Sequence, residues 1–104
     1  MRNPALKVNL SFEAQDELLN IWQYNARRDG TTRADRYDDF LRKGIDKLAT
    51  NHKFAKVVEV MPELRYVTLK RRSKGDGHVI VFSVGSAIDV LHVFHTKQDW
   101  PNKL

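Results

Sequence analysis

The sequence predicts an α+β fold in which an N-terminal helical hairpin packs on one face of an antiparallel β-sheet. Two amphipathic stretches at helical spacing lie close together between residues 12 and 50. Two apolar, β-branched runs, Val79–Val84 and Ala87–Phe94, flank a Gly85-Ser86 pair, which is typical of a β-hairpin. With one strand at the N-terminus and one before the hairpin, the predicted order is β-α-α-β-β-β. We expect the 104 residues to form one domain, residues 1–104.

The first predicted strand covers residues 6–10, where apolar and polar side chains alternate. Ser11 is a suitable N-cap for the helix that follows, and acidic residues in the first turns suit the positive end of its dipole. The stripe of this helix consists of Ala14, Leu18, Ile21, Trp22 and Asn25. Gly30 should end the helix after a pair of arginines.

Thr31 or Thr32 opens the second predicted helix, which frays near residue 50. Its stripe consists of Ala34, Tyr37, Leu41, Gly44, Ile45 and Leu48, with Phe40 alongside. A mid-helix glycine costs about 1 kcal/mol relative to alanine, so we expect the two helices to approach closely at Gly44.

Trp22 and Tyr37 could form a recognition pair on the surface. Aromatic residues at helical spacing pack more often in the core, and we expect core positions for both.

Residues 51–63 are predicted to be a loop with a short strand at 57–61, and residues 64–72 alternate as a strand does. A basic loop, residues 70–77, leads into the hairpin. A two-residue turn at Gly85-Ser86 would place Val84 opposite Ala87. One face of the hairpin would then carry His78, Ile80, Phe82, Val84, Asp89, Leu91, Val93 and His95, and the other Val79, Val81, Ser83, Ile88, Val90, His92 and Phe94.

Both faces of this predicted hairpin are mostly apolar, so both need a cover. The two helices can cover one face. The other face either binds a partner, since exposed apolar surface usually marks a partner site, or is buried by the chain itself as the sheet curls. Both alternatives are open from the sequence.

Composition narrows the class of protein. There is no cysteine, so neither disulfides nor thiolate metal sites are available. No apolar run approaches the about 20 residues of a membrane span, and the N-terminus lacks the apolar region of a signal peptide, so we expect a cytoplasmic protein. The net charge is +5, and residues 51–104 hold nine Lys/Arg against five Asp/Glu. This half predicts an acidic partner, unless its charge serves only solubility.

Metal and cofactor chemistry is not predicted. His92 and His95 are three apart on a strand and point to opposite faces, so they cannot share an ion. His78 and His95 share a face as diagonal neighbours, but a third ligand is missing. No glycine-rich phosphate loop precedes a helix, and no Ser/His/Asp arrangement can be placed.

Acid–base cleavage of RNA requires cations that hold phosphate, a proton acceptor and a proton donor. Five side chains could converge at one end of the sheet: Arg65, Arg71, Arg72, His95 and Lys97. If the protein is a ribonuclease, Arg65, Arg71, His95 and Lys97 are its candidate catalytic residues. His95 is the only evident titrating group near the C-terminus, which is a poor match to catalysis. The alternative is that these charges form a solvated rim.

Four features follow one another along the chain: the helix AQDELLNIWQY (residues 14–24), the Leu64-Arg65 pair, the hairpin, and the ending His95-Thr96-Lys97-Gln98-Asp99. In this order they resemble the RelE/ParE toxin superfamily, and its ParE branch in particular. The resemblance spans nearly the whole chain. It implies a RelE/ParE-like fold and a toxin of a type II toxin–antitoxin system that causes growth arrest. The chain departs from the RNA-cleaving RelE branch, because no tyrosine follows His95, and from typical ParE sequences in its longer loop at residues 70–77.

ParE-like toxins inhibit DNA gyrase by binding, whereas RelE-like relatives cleave mRNA on the ribosome. The resemblance therefore implies DNA gyrase as the target and a cognate antitoxin, ParD-like or of another family, as the partner in a hetero-oligomer. The expected target-binding residues are Arg65, His95, Lys97, Gln98, Asp99 and Trp100. For Asp99 and Trp100 the alternative is that they stabilise the fold and do not contact the target. A ribosome-dependent mRNA endonuclease is the second hypothesis, and a non-toxic basic binding module is the third.

Overall fold

The computed structural model describes residues 5–104. Its helices are α1 (Phe12–Asp29), α2 (Thr31–Asp46) and α3 (Leu48–Asn51), with 3-10 helices at His52–Phe54 and Trp100–Lys103. Its strands are β1 (Val8–Leu10), β2 (Lys56–Val57), β3 (Arg65–Leu69), β4 (His78–Val84) and β5 (Ile88–His95). The α+β class and the N-terminal helical hairpin are confirmed. Residues 1–4, which open the predicted domain, lie outside the described residues.

The five strands form one sheet in the order β1-β5-β4-β3-β2. All neighbouring pairs are antiparallel except one: β1 runs parallel to β5, with Val8 opposite Ile88. The prediction of a wholly antiparallel sheet is therefore wrong at this edge. The helical hairpin separates β1 from the other strands in sequence, so no tight turn forces β1 to run against its neighbour.

The predicted helix boundaries are close to those observed. The Ser11 side chain accepts a hydrogen bond from the Ala14 N–H at 3.0 Å, and Gly30, with φ +90°, separates α1 from α2. Such a positive φ suits glycine, because a Cβ would be strained there. The helices cover one face of the sheet through a buried core of Ala14, Leu18, Leu41, Ile45, Leu48, Ile80, Phe82, Ile88, Val90 and Val93.

The hairpin register differs from the prediction. Val84 pairs with Ile88 across a three-residue loop, and Gly85 is not among the glycines with positive φ. A shift of one residue exchanges the two faces of a strand. Ile88 and Val90 therefore lie in the core under the helices, while Asp89 is exposed. The predicted register is wrong because it would bury the Asp89 carboxylate in an apolar core, which is costly.

A β-bulge at Leu91 shifts the register of β5 a second time. Phe82 pairs with Val90, but the preceding Val81 pairs with His92, so Leu91 has no partner of its own in β4. Helix α1 satisfies the backbone at the bulge: the Ser11 hydroxyl donates to the Leu91 carbonyl at 2.8 Å, and the Val93 N–H donates to a Glu17 carboxylate oxygen at 2.9 Å. Beyond the bulge, His78 and His95 are direct rather than diagonal partners.

The second face of the sheet is covered by the chain itself. Val79, Val81 and Phe94 form a second core with Val58 and Leu64 from the segment before β3. Met61, Tyr66, Leu91, Trp100 and Leu104 pack around it. Of the two alternatives, self-burial is the one observed, so this face does not have to bind a partner.

Two expectations about individual residues in the helices change. Gly44 does allow a close approach, but to Leu69 of β3 rather than to the other helix: a Cβ at Gly44 would lie 2.5 Å from a Leu69 methyl carbon. The expectation of a core position is wrong for Trp22, which is half-buried and donates its indole N–H to Asp35 at 2.7 Å. Tyr37 is half-buried and packs against the core.

Among the described helices, none has the length and apolarity to span a membrane.

Candidate functional site

A cleft of about 800 Å³ opens between the helical hairpin and the end of the sheet where β4 begins and β5 ends. One wall comes from the C-terminal half of α1 and the N-terminal half of α2, and the other from the loop between β3 and β4. We call it the basic cleft because it is lined by Arg28, Arg33, Arg36, Arg71 and Arg72, together with His78 and His95.

Among the residues that the structure describes, most of the arginines that line the basic cleft form no ion pair with a carboxylate. Arg28 pairs with Asp29 at 2.9 Å, and the Asp76 carboxylate pairs with Lys97 at 3.4 Å. Within residues 5–104, no ion pair involves Arg33, Arg36, Arg71 or Arg72. Asp29 and Asp76 also line the cleft, but the five arginines outnumber them, so the net charge of the lining is positive.

The floor of the basic cleft holds a chain of three rings. The Tyr37 hydroxyl lies 2.6 Å from His78 Nδ1, and the rings of His78 and His95 meet edge to face with centroids 5.2 Å apart. Burial, with a smaller contribution from His95, lowers the pKa of His78 to about 4. Burial also raises the pKa of Tyr37, although the charge of Arg71 partly opposes this. His78 is therefore neutral at pH 7, and Tyr37 is neutral as an ordinary phenol would be.

The chain after β5 forms a hydrogen-bonded turn. The Lys97 N–H donates to His95 Nδ1 at 3.0 Å, so a neutral His95 carries its proton on Nε2. The His95 N–H donates to the Gln98 side-chain oxygen at 2.7 Å. The Thr96 N–H donates to the Gly77 carbonyl, which joins this turn to the start of β4.

The structure brings together only part of the predicted site. His95, Gln98, Arg71 and Arg72 line the basic cleft, and Lys97 lies beside it through its ion pair with Asp76. Arg65 does not join them: it pairs with Phe82, four residues along β4 from the partner of His95. The expected convergence of Arg65 with His95 is wrong, because the antiparallel register places Arg65 beside Phe82 and His95 beside His78, four residues apart along β4.

The last two predicted residues have structural contacts. Trp100 lies on the second face of the sheet, with its ring 4.9 Å from Tyr66 and 6.3 Å from Phe94. Asp99 accepts a hydrogen bond from the Asn102 side chain at 2.6 Å. These contacts match the structural alternative for Trp100 and anchor the C-terminal 3-10 helix.

Five residues that define the basic cleft or its floor were not predicted as site residues from the sequence: Arg28, Arg33, Arg36, Tyr37 and His78. The sequence does place His78 and His95 on one face, which was the available signal. The position of the α2 side chains over that end of the sheet depends on helix packing. Within the described part of the chain, no three His, Cys, Asp or Glu residues are grouped as metal ligands.

A helical hairpin on a five-stranded sheet, with a basic cleft at one end of that sheet, defines a small α+β protein with one positively charged surface. The family described as "ParE toxin of type II toxin-antitoxin system, parDE" matches residues 8–100. The chain therefore belongs to the ParE toxin family.

A solved structure of the chromosomal ParDE TA system from P. aeruginosa contains a chain with a similar fold. The TM-score is 0.77 at 18% sequence identity, and the match covers 89% of this chain and 98% of that chain. This likeness concerns the fold alone. None of the curated proteins is significantly similar in sequence.

Proposed function

We propose that this ParE-family toxin acts in the cytoplasm, arrests growth by binding DNA gyrase, and is neutralised by a cognate antitoxin. We prefer binding to catalysis because of the protonation states of the two groups at the floor of the basic cleft. Tyr37 and His78 lie within hydrogen-bond distance of each other, and burial moves the pKa of each further from pH 7: upward for Tyr37 and down to about 4 for His78. A general acid or base works best with a pKa near the working pH, so neither group suits that role.

We assign the gyrase contact to the turn after β5, with His95, Lys97, Gln98 and Asp99 as its residues. Lys97 and Gln98 are exposed, and the Asp76 pairing of Lys97 is loose at 3.4 Å. Arg65 would belong to a separate contact, since it pairs with Phe82, four residues along β4 from the partner of His95. Trp100 contributes by holding the C-terminal segment in place.

Ribosome-dependent mRNA cleavage is the second candidate. The arginines beside His95 favour it, because they could hold a scissile phosphate. Cleavage requires both a proton donor and a proton acceptor at the scissile bond. His95 lines the cleft, but its neighbour His78, with a pKa of about 4, is a weak proton acceptor. A non-toxic basic binding module is the third candidate.

Two assays on the purified chain separate the three candidates. Inhibition of gyrase supercoiling with trapping of cleaved plasmid, and translation without new mRNA cuts, is the expected result. Cuts at defined codon positions with unaffected gyrase would contradict the proposal and support the endonuclease. Inactivity in both assays, with no growth arrest on expression, would leave the binding module.

An apolar groove on the helix side supports the proposed antitoxin contact. Its volume is about 500 Å³, and its apolar lining is Phe40, Leu48, Phe54, Val67 and Leu69. Lys43 and Lys47 flank it, so an antitoxin segment with apolar and acidic side chains complements it. Phe54 is 78% exposed, which is unusual for so large an apolar residue.

Phe54→Ser should weaken antitoxin binding by about tenfold or more, because a large aromatic residue is a typical interface anchor. Phe12→Ser is the matched control, since Phe12 is 83% exposed and does not line the groove. Affinity for the antitoxin encoded beside the toxin gene can be measured by calorimetry. Equal losses in both variants would contradict docking in this groove.

A further inference from the structure

We propose that the basic cleft binds the sugar–phosphate backbone of a single-stranded nucleic acid, with at least one base stacked at its rim. The proposal does not depend on gyrase as the target. It assigns a ligand to the cleft, which is distinct from the turn residues assigned to gyrase except where His95 and Gln98 border both.

Charge is the first argument. Arg33 and Arg36 project from α2, and Arg71 and Arg72 come from the loop between β3 and β4, so cations occupy both walls. The Arg71 charge acts on Tyr37 at the floor, so Arg71 is close to the interior of the cleft. Two facing rows of cations hold a linear polyanion better than a single charge.

The type of cation is the second argument. Among the described residues that line the cleft, every strong cation is an arginine and none is a lysine. The planar guanidinium donates two parallel hydrogen bonds to a phosphate, whereas a lysine ammonium acts as a point charge. Four arginines without a carboxylate partner are therefore suited to successive phosphates.

The rim supplies the third argument, which favours nucleic acid over an acidic peptide. Tyr24 is 62% exposed at the cleft, and the Arg28 guanidinium lies 5.2 Å from its ring centroid. Aromatic and arginine surfaces of this kind stack nucleotide bases. Asn20, Asn25 and Gln98 also line the cleft and offer amide groups to base edges. Of these groups, the stacking surface at Tyr24 and Arg28 is the one that separates the two ligands, since a peptide whose side chains are carboxylates has no base to place on it.

The same rim favours a single strand over a duplex. Bases of a duplex are stacked and paired inside the helix, so they cannot stack on a protein side chain without unpairing. The bases of a single strand are free to do so while the backbone follows the arginines.

The test is fluorescence anisotropy with a labelled single-stranded oligonucleotide and the purified chain, without gyrase, between 50 and 200 mM salt. Arg36→Gln/Arg71→Gln removes one arginine from each wall and should lower affinity by about tenfold or more. The slope of log K against log salt should fall in magnitude by about 1.4, since each phosphate contact on a single strand contributes about 0.7.

The control is Arg27→Gln/Arg42→Gln, which removes the same charge from two exposed arginines outside the cleft. It should change affinity by no more than about twofold. Thermal unfolding checks each variant, and Arg33→Gln/Arg72→Gln repeats the test with the other two arginines if the first pair proves unstable.

Three results would overturn the proposal. Equal losses in the cleft and control variants would mean that only net charge matters. Tighter binding of the corresponding duplex would exclude a single strand as the ligand. Displacement of the oligonucleotide by polyglutamate at equal charge concentration would make the cleft a carboxylate site. Since the assay contains no gyrase, none of these results bears on the proposed inhibition of gyrase.

Discussion

Trp100→Ala is expected to lower the free energy of unfolding by about 3 kcal/mol. The indole packs against Tyr66 and Phe94 and covers the second core, on the face of the sheet opposite α1 and α2. Its removal exposes this apolar surface and loses two aromatic contacts. Urea unfolding followed by circular dichroism measures the change.

Phe12→Ala is the control for this variant, because Phe12 is 83% exposed and should cost no more than about 0.5 kcal/mol. Equal midpoints for Trp100→Ala and the wild type would contradict the second core. Deletion of residues 96–104 should be more damaging still, since it also removes Leu104 and the Thr96–Gly77 hydrogen bonds. A truncation therefore cannot test the gyrase contact separately from folding.

Acid is expected to destabilise the fold through His78 by about 3 kcal/mol between pH 6.5 and pH 4. Its pKa is about 4 in the folded protein and 6.5 in the unfolded chain, so the unfolded chain takes up the proton first as pH falls. The part of the unfolding free energy that depends on this pKa difference is fully present above pH 6.5 and is lost as the pH falls through 4. Burial is the main cause, because a charged imidazole cannot be solvated there.

The contribution of His78 is isolated by comparing wild type with His78→Gln at each pH, since carboxylates also titrate in this range. The difference in unfolding free energy should fall by about 3 kcal/mol from pH 7 to pH 4. Tyr37→Phe removes the hydroxyl near His78 Nδ1 but keeps the buried imidazole, so it should retain the pH dependence. Parallel curves for wild type and His78→Gln would contradict the burial of a neutral histidine.

Local patterns predicted the elements well. The stripe from Ala14 to Leu18 and the Ser11 cap identify α1, and Gly30 separates the two helices as expected. Hairpin register was not predictable in the same way. It depends on the loop length after Val84 and on the bulge at Leu91, whose backbone is satisfied by α1. A bulge of this kind leaves no pattern in the strand sequence itself.

The site was predicted in part for a similar reason. His95 and Gln98 were predicted because they belong to the ending that resembles the family, and Arg71 because an RNA-cleaving site would need cations at that end of the sheet. Arg33 and Arg36 reach the same cleft only because α2 packs across the sheet at that end. Arg65 was misplaced, since its neighbours in sequence do not reveal which end of β4 it faces.

The most direct test of the proposed function is supercoiling by purified gyrase in the presence of the chain and of two charge-reversal variants. Lys97→Glu changes the proposed contact, and Lys74→Glu makes the same change in the exposed loop between β3 and β4. We predict that wild type and Lys74→Glu inhibit at similar concentrations, while Lys97→Glu requires about tenfold more protein. Full supercoiling at a molar excess of wild-type chain over gyrase, or equal inhibition by all three proteins, would contradict the account.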